Sequence, residues 1–176
     1  MATLEANNIF KSFGGNLVLD DVTMQAETGS VTGLIGPNGA GKSTLLNIIS
    51  GFLKTDSGHI LMNGKDVTGK PPHRVYNTGI ARTFQDSQVL FYMNGLDNVI
   101  VSSPGQRGES EFNALFRPRM VAREERERSA EAMQRLTDLN IQDKSTSLSQ
   151  ALSYGQQKLL EFARLLNSRA EVFLLD

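Results

Sequence analysis

The clearest chemistry in this chain lies in Gly36-Pro37-Asn38-Gly39-Ala40-Gly41-Lys42-Ser43, which fits G-x-x-x-x-G-K-[ST]. Glycines there let the backbone turn so that successive N–H groups form a concave nest for phosphate oxygens. A helix opening at Lys42 adds its positive dipole end to the same place. The Lys42 ammonium can reach the β- and γ-phosphates of a nucleoside triphosphate, and the Ser43 hydroxyl can ligate Mg²⁺. Thr44 is placed to add a hydroxyl donor. Four fixed positions match by chance in about 1% of chains this long, and the context agrees, with an apolar run before the motif and apolar helical spacing after it. Gly36, Asn38, Gly39, Ala40, Gly41, Lys42, Ser43 and Thr44 are therefore the expected nucleotide contacts.

The elements that must position this loop follow from periodicity. Val31-Thr32-Gly33-Leu34-Ile35 reads as a short buried strand ending at Gly36. Lys42 to Ser50 reads as a helix through Leu45, Leu46, Ile48 and Ile49. Upstream, Leu17-Val18-Leu19 and Val22-Thr23-Met24 read as strands broken by Asp20-Asp21. Asn63-Gly64 predicts a type I′ hairpin turn, and Ile80 to Phe84 a further strand. Arg117 to Leu139 is the longest helical pattern, a solvated face carrying Glu124–Arg128 and Glu131–Arg135 at i, i+4. Gln156 to Asn167 is a second helix, leading to a strand over Glu171 to Leu175, and Ser102 to Ser110 is the expected flexible stretch.

Composition narrows the function classes. With 176 residues, 39% of them hydrophobic, the chain is long enough for one domain with a sizeable core. Eighteen basic and 19 acidic residues leave a net charge of −1, which predicts no nucleic-acid partner. The absence of cysteine excludes disulfides, thiol catalysis and thiolate zinc sites. No apolar run approaches the ~20 residues of a membrane-spanning helix, which leads to the expectation of a cytosolic chain.

Several further segments resemble one family, the ATP-binding cassette (ABC) ATPases. Leu152-Ser153-Tyr154-Gly155-Gln156-Gln157 resembles its signature motif, and Val172-Phe173-Leu174-Leu175-Asp176 its Walker B strand. Gln85, closing Ile80-Ala81-Arg82-Thr83-Phe84-Gln85, is similar to the Q-loop glutamine. Phe13, in Lys11-Ser12-Phe13-Gly14-Gly15, matches the aromatic that stacks on adenine, although by itself it reads as a core residue. The resemblance implies an α/β P-loop NTPase core with an antiparallel β subdomain and an α-helical signature subdomain at about 95–165, all within a single domain over 1–176. It implies ATP and Mg²⁺ as cofactors, with Mg²⁺ held by Ser43, Gln85 and Asp176, and Lys42, Gln85 and Asp176 as catalytic residues. Ser153, Gly155 and Gln156 would face the ATP of a second ATPase subunit in a head-to-tail dimer. Transmembrane permease subunits would be further partners, sensed through Gln85, at the inner face of the cell membrane.

Within the family, Gly79 to Gln85 and the tyrosine of the signature resemble importers of branched-chain amino acids. ATPases of urea and amide importers, and soluble ABC ATPases, are the alternatives. In the family a catalytic glutamate follows the Walker B aspartate. The sequence given stops at Asp176, so the expectation is a truncated ATPase that turns ATP over slowly and leaves part of its central sheet uncovered.

Overall fold

The computed structural model describes residues 2–83, 89–104 and 118–175. The chain divides into two compact units, residues 1–82 with 170–176, and residues 83–169.

The first unit is built on an antiparallel sheet. β1 (Ala2–Phe13) and β2 (Asn16–Glu27) form a long hairpin, and β3 (Ser57–Met62) and β4 (Lys65–Asp66) extend it in the order β2-β1-β3-β4. Leu4 and Ala6 point inward in alternation, but Ile9 is the next buried residue of β1. A bulge causes this change of parity. Asn8 and Asp21 both take positive φ (52° each), and Asn8 Nδ2 donates to Asp21 Oδ1 at 2.7 Å. An extra residue on one strand flips which side chains face the core. The same bulge corrects the sequence reading at Asp20-Asp21: the acidic pair kinks one continuous strand instead of separating two. The hairpin expected at Asn63-Gly64 is present, with φ of 49° and 72° joining β3 to β4.

Helix α1 (Lys42–Ile49) presents Leu45, Ile48 and Ile49 to the core formed by Leu4, Ile9, Leu19, Ile60, Met62 and Val75, an i, i+3, i+4 stripe. After the short helix α2 (Pro72–Tyr76), β5 (Ile80–Arg82) pairs in parallel with β6 (Val172–Leu174). The expected strand at 31–35 does not form. Val31 is 101% and Ile35 95% exposed, and among the described residues no strand is hydrogen-bonded to this run. An apolar run becomes a strand only where a neighbour offers the ladder.

The second unit is helical. α3 (Gly95–Val101), α4 (Pro118–Asp138) and α5 (Tyr154–Asn167) enclose Val99, Ala132, Leu136, Leu160 and Ala163. On α4 the expected Glu124–Arg128 pair is made at 2.6 Å. The expected Glu131–Arg135 pair is not: Glu131 takes Arg169 at 2.8 Å, and Arg135 takes Asp138 at 3.4 Å. Arg169 lies just past α5 with φ of 56°, so a partner from another element displaces the one in the same helix. Residues 105–117, which include part of the expected flexible stretch, lie outside the described residues.

Candidate functional site

The phosphate loop lies in the first unit. Residues 31–40 are exposed throughout, and Lys42 at the start of α1 is half-buried. Lys42 Nζ donates to the carbonyls of Gly36 and Pro37, at 2.7 Å each. The loop is thus curled around the ammonium. Gly41 caps α1 with φ of 85° and supplies no side-chain hydrogen bond. A Cβ at Gly41 would sit 2.8 Å from Leu19 Cδ2 and 3.0 Å from the Val18 carbonyl oxygen, so both conformation and space demand glycine. The first N–H groups of a helix have no acceptor within it, and nothing in Gly41 provides one. Ser43 is exposed and Thr44 half-buried beside this uncapped start, while Asn38, Gly39 and Ala40 form the turn before it.

The far end of α1 is anchored as well. Arg82 Nη1 donates to Asn47 Oδ1 at 2.7 Å and to Ser50 Oγ at 3.0 Å. α1 has no basic residue in its own last turn, so the guanidinium supplies the positive charge its C-terminus favours. Sequence reading missed Arg82; a lone arginine closing an apolar strand was the available signal.

Phe13 lies at the end of β1, beside the Gly14-Gly15 turn, and is 47% exposed with Lys11 Nζ 5.5 Å from its ring centroid. An exposed ring is not the core residue its type alone suggests, and its face is available to stack. Lys11 in turn holds Asp56, which also accepts from the Ser12 N–H. The Lys11 hydrogen bond, then that from Ser12, keeps the Asp56 carboxyl below its ordinary value of 3.8.

The signature residues lie in the second unit. Ser153 is the N-cap of α5: its Oγ accepts from the Gln156 N–H at 3.4 Å, and Gln156 Oε1 accepts from the Ser153 N–H at 3.0 Å. This reciprocal capping box starts the helix at Tyr154, two residues before the sequence reading began it. Gly155 is exposed, its φ lies outside the left-handed region, and a Cβ there would meet nothing within 4 Å. Neither strain nor crowding in the chain requires glycine, which leaves a bare backbone at the helix start. Gln85 and Asp176 lie outside the described residues.

Residues 19–176 match the ABC transporter family. The chain belongs to that family. It is 40% identical, over its whole length, to a probable branched-chain amino acid transport ATP-binding protein, LivG, of Methanocaldococcus jannaschii, and spans 68% of that relative. It is 32% identical over 98% of its length to the high-affinity branched-chain amino acid transport ATP-binding protein BraF of Pseudomonas aeruginosa, again spanning 68% of it. A nucleotide-free ATP-binding cassette from an ABC transporter superposes with a TM-score of 0.80 at 40% identity, covering 100% of this chain and 69% of the cassette. The fold is that of an ABC ATPase, an α/β P-loop NTPase with an antiparallel sheet, and the family activity is ATP hydrolysis. Among the described residues no helix is long and apolar enough to cross a membrane.

Proposed function

We propose that this ABC ATPase energises an importer of branched-chain amino acids, as a head-to-tail pair of ATPase subunits docked on transmembrane permease subunits at the inner, cytoplasmic face of the membrane. The similarity to LivG and BraF carries the import reading, and the uncapped start of α1, with the Lys42 ammonium held at its mouth by Gly36 and Pro37, carries its ATP-binding part.

The N–H groups of the loop and of α1 bind the phosphates, and Lys42 offsets charge that grows on the β–γ bridging oxygen as the γ-phosphoryl leaves. Phe13 stacks on adenine. Ser43, Gln85 and Asp176 would hold Mg²⁺: a hydroxyl, an amide and a carboxylate suit a hard cation that keeps several of its waters. Mg²⁺, when bound, neutralises phosphate charge. Ser153 meets the γ-phosphate held by the opposing subunit. Its oxygen already accepts from Gln156, so its O–H proton is left to donate, and the bare backbone at Gly155 allows close approach.

Permease contact is supported by the exposed apolar run Leu90-Phe91-Tyr92-Met93 and by Leu148; Tyr92 is 88% exposed. The branched-chain solute is supported by the similarity to LivG and BraF. The test is solute uptake into vesicles holding the permease subunits that copurify with the chain. Leucine and isoleucine uptake driven by ATP is the expected result. Urea uptake in its place would overturn the solute, and copurification with no membrane protein would overturn the transport role.

A further inference from the structure

The side chain of Asn98 is 0% exposed and has no part in the site described above. It lies on the buried stripe of α3 beside Gly95 and Val99, where a helix ordinarily carries an apolar residue. Its Oδ1 accepts from the Leu90 N–H at 2.8 Å. Its Nδ2 faces the carbonyls of Leu90, Met93 and Asn94 at 3.0, 3.3 and 3.0 Å, and Ser149 Oγ at 2.8 Å. Ser149 is also fully buried. Its N–H donates to the Met93 carbonyl at 3.0 Å, and the Gln150 N–H to that of Phe91 at 3.2 Å. From the other side, Gln157 Nε2, in the first turn of α5, donates to the Ser149 and Leu152 carbonyls at 3.2 Å each. Hydrogen bonds therefore run from the exposed loop at 90–93, through Asn98 and Ser149, to the start of α5.

We propose that Asn98 is a positioning residue that makes the exposed loop Leu90–Met93 and the Ser153 end of α5 move as one body. In a site this dry, sliding either element alone would leave a polar atom unpaired, which costs more than moving both. A partner pressing on Tyr92 is then felt at Ser153, and by reciprocity ATP closing on Ser153 is felt at Tyr92. The inference rests on the reading that Ser153 meets ATP.

The chain contains no cysteine, so Tyr92→Cys or Tyr154→Cys each takes a single environment-sensitive fluorophore. On adding Mg-ATP, both labels are expected to respond in the otherwise unaltered chain. Asn98→Ala should silence the label at 92 while that at 154 still responds; Ser149→Ala should reduce the signal at 92 in part, because the backbone bonds remain. An undiminished signal at 92 in these variants would overturn the inference alone. Equal loss at both labels would make Asn98 a folding residue only, and would overturn it too. Silence at 154 before any change to Asn98 would overturn the reading of Ser153 together with the inference. Should Asn98→Ala fail to fold, Ser149→Ala decides.

Discussion

Two helix starts in this chain carry small and hydroxyl residues, and they solve the same problem in opposite ways. α1 begins at Gly41 with no side-chain cap, its nearest cation drawn in by loop carbonyls. α5 begins at Ser153 with both halves of a capping box closed. The capping box of α5 occupies the Gln156 and Ser153 N–H groups and leaves fewer donors for an anion. The start of α1 has no side-chain cap, so its first N–H groups are left for water or a ligand. On this comparison the proposed function makes α1 the primary phosphate site, and α5 a secondary contact that matters once ATP is already held.

The largest expected effect is at α1. Lys42→Ala removes a charge-assisted contact of about 1.5–3 kcal/mol and should weaken Mg-ATP binding roughly ten- to hundredfold in titration calorimetry. Unchanged affinity would break the comparison at its stronger end. Ser153→Ala should leave that affinity unchanged yet cost about 1 kcal/mol in thermal or denaturant unfolding through the lost cap. A matching loss of ATP affinity would show that α5 is no secondary contact.

Gly155→Ala sharpens the contrast, because stability and function should move in opposite directions. Replacing an exposed helical glycine should stabilise the chain by about 0.5–1 kcal/mol while weakening ATP-driven pairing of subunits, read by sedimentation. Better stability with undiminished pairing would remove the reason given for that glycine. The smallest effect is expected away from both starts, at Asp56. Its lowered folded-state pKa contributes stability that is present above its ordinary value of 3.8 and is lost as pH falls through the lowered value. Asp56→Asn should therefore lower stability by a small, constant amount from neutral to alkaline pH and remove the matching slope at the acid end, and a loss that grows on going from neutral to alkaline pH would contradict this.

What the sequence revealed and what it hid divide along the same physical line. The helix opening at Lys42 and the Asn63-Gly64 turn were legible because neighbouring residues decide them, whereas α5 was read two residues short of the start its capping box sets. The state of Val31–Ile35 was not, since burial of an apolar run depends on a strand elsewhere that pairs with it. The partner of Glu131 was missed because Arg169 lies 38 positions away and outcompetes the residue one turn on. No sequence reading singled out Asn98; only its hydrogen bonds with Leu90, Met93 and Ser149 mark it.

The division of labour between the two helix starts can be measured by complementation. Lys42→Ala disables the α1 start of one chain. Gly155→Glu leaves α5 well capped, since an acidic residue suits a helix N-terminus, but turns a negative charge toward phosphate. Each variant alone should pair poorly in Mg-ATP when followed by sedimentation. Mixed, they create one site with an intact α1 from one chain and an intact α5 from the other, and ATP-dependent pairing should return. No gain on mixing would contradict the claim that one chain holds the nucleotide and the next chain's α5 completes its site.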